Sequence, residues 1–269
     1  MSDDKQHHKE SSAAAGLVVR ECTSIEELDG CVRLQREVFG LPDLEVSPRR
    51  HLIVSQRAGG WTLGAFAGDE LIGFVHHLVA LRGREIIGYS HMMAVATEYQ
   101  NMGIGARLKW AQRERALGEG RSFITWTWEP MRARNAHFNI NRLGVVVSSY
   151  GVNFYGTDYD SGPAGSENSA RGIDSDRLFA DWELRWLRVE ALAQGKTPVI
   201  TSQPEASVEI PPDWSALIRE DAAAARREQL RVRKEFRRAL AAKLICAGFE
   251  RHSSHPRYLF YSQSSLNRE

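Results

Sequence analysis

The chain has 269 residues, of which 42% are hydrophobic and 26% charged, an ordinary globular composition with enough apolar material for a sizeable core. Thirty-five basic against thirty-four acidic side chains leave a formal charge of +1, so the balance calls for neither nucleic acid nor an anionic membrane, while a small anionic ligand is compatible with it. Cys22, Cys31 and Cys246 are odd in number and scattered, which fits neither a disulfide framework nor paired zinc knuckles; with no leader-like segment and no apolar run near ~20 residues, a cytoplasmic protein is expected.

Residues 1–16, polar and rich in His, Lys, Asp and Ser, read as a disordered tail. Leu17 to Cys22 is a β-prone run, and Ser24 with Glu27 three residues on forms a capping box that opens an amphipathic helix through about Phe39. Pro42 and Pro48 interrupt, a second helix is expected over Pro48 to Arg57, and Gly59-Gly60 closes it. Trp61 to Ala67 and Leu71 to Leu81 are strands joined at Gly68-Asp69-Glu70, followed by Ile86 to Ala96, so the pattern is an antiparallel meander. Ile104 to Leu117 is helical, with two apolar stripes, Ile104, Leu108, Ala111 and Ala106, Trp110, Leu117, that predict burial on two faces. Ser122 to Trp128 reads as a strand, Pro130 to Leu143 as a helix and Val145 to Val147 as a strand. Beyond Gly156 comes a long Asp-, Gly- and Ser-rich loop to Gly172, then a strand or helix over Leu178 to Val189. A short strand at Ser207 to Ile210, a long helix from Ser215 to Ile245 and a closing strand at Tyr258 to Ser262 complete the pattern.

Between the third meander strand and its helix stands Gln100-Asn101-Met102-Gly103-Ile104-Gly105. A helix N-terminus presents backbone N–H groups without partners and partial positive charge, and glycines let that backbone close on an anion. Six such residues alone fit equally a glycine-shaped turn. The segment lacks the third glycine of a dinucleotide fingerprint and the Lys-Ser/Thr pair of a Walker loop, and it follows a meander rather than opening a βαβ unit, which disfavours both nucleotide sites.

The loop resembles the Gln/Arg-x-x-Gly-x-Gly/Ala signature of the Gcn5-related N-acetyltransferase (GNAT) superfamily, preceded here by Met93-Ala94-Val95, with Gly64-Ala65-Phe66 through Gly73-Phe74-Val75 similar to the family hairpin and Asn135 to Val145 similar to its later helix, Val145 replacing an aromatic. The resemblance covers about Leu17 to Tyr155 and implies an α/β GNAT fold, a mixed but mostly antiparallel central sheet flanked by helices. It implies a core over residues 17–156 and a C-terminal α/β extension over 157–269 that packs on it. It also implies an N-acyltransferase using acetyl-CoA or another acyl-CoA as cosubstrate, without metal, and a small amine or amino acid as acceptor; a homodimer stays open. In such proteins CoA lies where two strands splay apart, here Tyr89 to Ala96 and Ser122 to Trp128. Met93, Ala94 and Val95 would line it, the Val95 N–H meeting the thioester oxygen. Gln100, Asn101, Met102, Gly103, Ile104, Gly105 and Ala106 would hold the pyrophosphate, and Asn135 and Asn139 the pantetheine arm.

An ammonium acceptor needs a base. His91 is the candidate, its alternative being a hydrogen-bonded core histidine; period-two geometry puts Tyr89, His91, Met93 and Val95 on one strand face. The family's acid is a tyrosine at roughly the place of Ile140, so Tyr150 and Tyr155 are substitutes by proximity only, Tyr155 being the candidate. A non-catalytic acyl-CoA-binding or regulatory module is the competing class. The whole chain is also similar, over Arg134 to Gly156 and Asp176 to Trp182, to a little-characterised GNAT subgroup, some members of which are associated with N-succinylation of amino acids, which makes succinyl-CoA an alternative donor. Seven basic residues between Arg226 and Arg238 read as a solvated helix face, since Glu228 and Glu235 intervene, rather than a nucleic-acid surface. His252-x-x-His255 has no metal-site companions, His76-His77 on a strand point to opposite faces, Trp126 and Trp128 read as core, and Ser148-Ser149 lack a glycine elbow.

Overall fold

The computed structural model describes residues 16–41, 43–157 and 173–266. The sequence-predicted tail and long loop lie outside these residues, apart from Gly16 and Thr157. The chain divides into two compact units after Arg121.

In the first unit β1 (Leu17–Glu21), β2 (Trp61–Ala67), β3 (Glu70–Arg82) and β4 (Glu85–Val95) pair in that order, each antiparallel to the next. Helix α1 (Ile25–Phe39) starts at the expected capping box: Glu27 N–H donates to Ser24 Oγ at 3.2 Å, and the Glu27 carboxylate accepts the Ser24 N–H at 3.1 Å. Helix α2 (Arg49–Arg57) follows Pro48, whose ring presets the entering backbone, and lies beside α1 through Arg49 and Asp29 at 2.7 Å. A 3₁₀ turn, Thr97–Tyr99, precedes α3 (Ile104–Gly118).

Adjacent residues of a strand point to opposite faces, and on β3 His76 meets Ser55 of α2 while His77 meets Gln112 of α3. Helices α2 and α3 therefore cover opposite faces of the sheet. Leu28, Leu34, Leu52, Ile72, Phe74, Ile104 and Leu108 form the core of this unit, each buried leucine stabilising by about 1.5–3 kcal/mol. Gly73 lets α3 seat: a Cβ there would stand 3.0 Å from the Ala94 carbonyl oxygen and 3.3 Å from Leu108 Cδ1.

The second face of α3 corrects the sequence expectation. Ala106, Trp110 and Leu117 are half-buried, whereas Lys109, Gln112 and Arg113 are buried. The sheet supplies polar partners for that face. Lys109 Nζ donates to Ser90 Oγ at 2.9 Å and to Gln112 Oε1 at 2.8 Å, and Gln112 Nε2 donates to His77 Nδ1 at 3.3 Å.

In the second unit β5 (Phe123–Trp128), β7 (Arg177–Glu183) and β6 (Tyr150–Gly151) form antiparallel pairs. Between β5 and β6 a helical stretch runs as one α turn, α4 (Ala133–Ala136), and widens into a π turn over His137–Arg142. A second sheet takes the order β8 (Ala206–Glu209), β10 (Arg257–Ser262) and β9 (Leu244–Glu250), again antiparallel.

Three segment expectations change here. Val145 to Val147 is no strand but makes isolated bridges, Val146 to Asp181 and Val147 to Cys246. Leu178 to Val189 is both candidates in turn, β7 and then α5 (Leu187–Ala193). The long helix is cut into α6 (Trp214–Glu220) and α7 (Ala222–Ala241), because Asp221 leaves helical geometry (φ −149°) and caps α7 by accepting the Ala224 N–H at 2.8 Å. Lys243, with φ of 62°, ends the helical path, and Leu244 onward pairs with β10. A short α8 (Gln263–Leu266) follows.

Buried Trp126 stands edge-on to Trp182 at 5.5 Å, and Trp128 Nε1 donates to the Tyr258 hydroxyl at 3.4 Å, so both tryptophans pack in the core. Among the described residues no helix is long and apolar enough to cross a membrane, and no group of three or more His, Cys, Asp or Glu side chains is placed to hold a metal.

Candidate functional site

The loop that the sequence singles out leads into α3 as expected. Asn101 and Gly103 both take left-handed backbone, with φ of 67° and 79°, and a Cβ on Gly103 would meet nothing within 4 Å. No side chain caps the helix, and its first turn holds no acidic residue. The first bond returning along the helix is Arg107 N–H to the Gly103 carbonyl at 3.1 Å, so the amides of Ile104, Gly105 and Ala106 donate to nothing within the helix. Open space, three amides and the positive end of a 15-residue helix fit a bound pyrophosphate.

The end of β4 adds a second donor. Ala96 N–H bonds the Ile72 carbonyl at 2.9 Å, and antiparallel pairs alternate between bonded and unbonded, so the Val95–Gly73 pair is unbonded. Both peptide groups of Val95 therefore face away from β3. Its carbonyl accepts Gln100 Nε2 at 3.1 Å, which ties the loop back to the strand.

His91 departs from the sequence geometry. The β3–β4 register pairs His76 with Met92 and His77 with Ser90, leaving His91 as the extra residue of a β-bulge. A bulge breaks period-two alternation. Tyr89 and His91 stay on the α2 face, but Met93 and Val95 pair with Val75 and Gly73 on the α3 face, where Val95 Cγ2 and Leu108 Cδ1 flank Gly73. The expected single face of Tyr89, His91, Met93 and Val95 is thus split.

On its face His91 is exposed to solvent, and its Nε2 is 3.2 Å from Ser47 Oγ. The rings of His51 and His76 lie 5.7 Å and 6.1 Å from its own. The protein packed around the ring, and then the His51 charge, hold its pKa below the ordinary histidine value. Buried His76 is fully engaged: Ser55 Oγ donates to the Leu52 carbonyl at 2.8 Å and so accepts His76 Nε2–H at 3.0 Å, while Thr62 Oγ1 donates to Nδ1 at 2.8 Å. Burial first, then the His91 and His51 charges, lower its pKa to about 3. Glu98 is exposed on the 3₁₀ turn.

The remaining candidates belong to the second unit. Asn135 is exposed and Asn139 is 4% exposed; residues four apart share a face of an α-helix, and the π turn from His137 separates them. Tyr155 is half-exposed, its hydroxyl 3.3 Å from Thr127 Oγ1, its N–H bonded to Ser175 Oγ at 2.7 Å and the Arg177 guanidinium 5.1 Å over its ring. Tyr150 is unlike it: its hydroxyl donates to the Asp176 carboxylate at 2.5 Å, and burial with that anion raises its pKa far above the usual phenol value.

The sequence of residues 28–139 matches the acetyltransferase (GNAT) family. Over 62% of this chain the fold is similar to that of a putative GNAT acetyltransferase from Desulfovibrio desulfuricans, with a TM-score of 0.50, 16% identity and 99% of the other chain covered. Over residues 28–139 the chain is similar to the GNAT superfamily. Similarity extends to the ribosomal-protein-S18-alanine N-acetyltransferase of Escherichia coli (TM-score 0.49, 12% identity, 62% of this chain and 94% of the other) and to a GNAT acetyltransferase of Elizabethkingia anophelis with acetyl-CoA bound (0.45, 18%, 62% and 98%). No curated protein matches the chain.

Several residues of the His91 face escaped sequence reasoning, namely Gln35, Ser47, His51 and His76. Only spatial pairing assembles them, since they come from α1, the loop before α2, α2 and β3. Ser47-Pro48 at the head of a helix was the one local signal available, and it marks a cap rather than a partner for a base.

Proposed function

We propose that the chain is an acyl-CoA-dependent N-acyltransferase that transfers an acetyl or succinyl group to a primary amine, amino acids included, by direct attack within a ternary complex. The acyl-CoA-binding core is assigned to residues 17–156, which contain the family match, and residues 157–269 to an extension. The observation that carries the proposal is the helix opening at Gly103, with free first-turn amides directly after a strand whose Val95 N–H faces away from its β3 neighbour.

Bound acyl-CoA supplies a thioester whose carbonyl carbon takes the amine, the new C–N bond replacing C–S. The amides of Met102 to Ala106 and the Gln100–Val95 tie hold the phosphate end, with Asn135 and Asn139 assigned to the pantetheine arm. Val95 N–H meets the charge that grows on the carbonyl oxygen. His91 removes the amine proton; its lowered pKa keeps the ring in the unprotonated form a base requires. Tyr155, half-exposed with its hydroxyl 3.3 Å from Thr127 Oγ1, is assigned to protonate the leaving thiolate, whereas the proton of Tyr150 is committed to Asp176. The subgroup resemblance supports succinyl-CoA and amino acids as one donor and acceptor pair.

Release of free CoA thiol, measured with acetyl-CoA and succinyl-CoA over amines and amino acids, tests the reaction. His91→Ala is expected to lower kcat by about 10²–10⁴-fold with acyl-CoA affinity nearly unchanged. Tight acyl-CoA binding with no turnover on any acceptor would favour a binding module instead.

A further inference from the structure

We propose that Ser47 is a positioning residue for His91, fixing which ring nitrogen is free to take a proton, and that Gln35 holds Ser47 in place to do so. The proposal rests on the reading of His91 as the base.

Gln35 is completely buried in the middle of α1, and its amide grips one residue of the following loop from both sides. Oε1 accepts the Ser47 N–H at 2.8 Å, and Nε2 donates to the Ser47 carbonyl at 3.2 Å. A side-chain amide thereby does for this loop what a neighbouring strand does for a strand. Pro48, directly after Ser47, disfavours helical backbone at Ser47 as well. With both peptide groups engaged and the backbone restricted, only the hydroxyl is left to act outward, and it lies 3.2 Å from His91 Nε2.

His91 needs such a partner more than an ordinary strand residue does. As the extra residue of the bulge it has no cross-strand neighbour to hold its ring, and the residue is exposed. The neutral form that can act as base places its one N–H on either nitrogen. We take Ser47 Oγ as the acceptor of Nε2–H, because that bond persists once the ring is charged while a bond donated by Ser47 to Nε2 is lost on protonation; Nδ1 then carries the lone pair that takes the proton. His76 cannot take that part, because both of its nitrogens are bonded to Ser55 and Thr62. His51 approaches from α2 at 5.7 Å between ring centroids, a ring-to-ring neighbour rather than a hydrogen-bond partner.

Two measurements on the full chain test this. Two-bond ¹H–¹⁵N correlation of histidine-labelled protein is expected to show His91 as a single Nε2–H tautomer above its titration, Ser47→Ala to release it into a mixture, and Ser47→Thr, which keeps the hydroxyl, to restore it. In turnover, Ser47→Ala is expected to lower kcat by about 10-fold with KM for the acceptor within about twofold, and Gln35→Met to follow it. A Ser47→Ala protein whose His91 tautomer is unchanged overturns the assignment whatever its turnover. A wild-type protein with the locked tautomer but no acylation of any amine sinks the acyltransferase reading and leaves the Ser47–His91 assignment standing.

Discussion

The two units bury polar side chains in opposite ways. In the first, His76 with Ser55 and Thr62 on one face of the sheet, and His77, Gln112, Lys109 and Ser90 on the other, form two clusters of hydroxyls and amides with no carboxylate in either, and burial drives both histidines to pKa values of about 3 and holds the Lys109 amine well below its usual value. In the second, the acids Asp174 and Asp176 meet Arg226 and Arg233. Arg233 Nε and Nη2 both reach Asp176 at 2.8 Å, Nη2 also bonds Asp174 at 2.5 Å, and Arg226 Nη1 bonds Asp174 at 2.7 Å. A cluster built around a neutral histidine changes character when one proton arrives, whereas a network of matched ions is a fixture. The proposed base stands at the edge of the first kind.

Among single substitutions at neutral pH, breaking the ionic network is expected to have the largest effect on stability. Arg233→Met leaves Asp176, 1% exposed, without its forked partner, and the loss of stability in urea denaturation is expected to be about 3–5 kcal/mol. Arg233→Lys should recover only part of it, since an ammonium cannot reproduce the fork.

Acid should sharpen the comparison from the other side. Below about pH 6.5 the unfolded chain binds protons at His76 and His77 that the folded chain, with both values near 3, does not. Stability is therefore expected to fall as the pH drops from about 6.5 towards 3, by up to about 1.4 kcal/mol per pH unit for each histidine. His77→Phe, which keeps an aromatic ring against Trp61 where His77 now stacks at 4.0 Å, should remove one share of that slope in denaturation curves taken across the range.

The smallest effect concerns the loop. A Cβ at Gly103 meets no atom, so Gly103→Ala acts through the left-handed backbone alone, at about 1–2 kcal/mol. Acyl-CoA affinity by calorimetry is expected to weaken by about 5–30-fold.

Much of this was legible in the sequence, where local rules govern. Ser24 and Glu27, the Gly68 hairpin and the glycines before α3 each fix backbone within a few residues, and each stands where expected. Non-local pairing hid the rest. Leu244 and Ile245 continue the expected helix, yet β10 claims them as the start of a strand; the apolar stripes of α3 leave out Lys109 and Gln112, which Ser90 and His77 engage only once the sheet is in place. On β4, nothing in Ser90-His91-Met92 announces an extra residue, so alternation counted from His91 misplaced Met93 and Val95.

That extra residue has a consequence for how the site could arise and be lost. Ser90 pairs with His77 and Met92 with His76, consecutive partners on β3, so the ladder would run on unbroken if His91 were absent. An imidazole at this place is one codon's addition to a strand already complete, gained without re-registering any neighbour. Deletion of that codon would leave the architecture silent while removing the side chain on which the proposed chemistry depends.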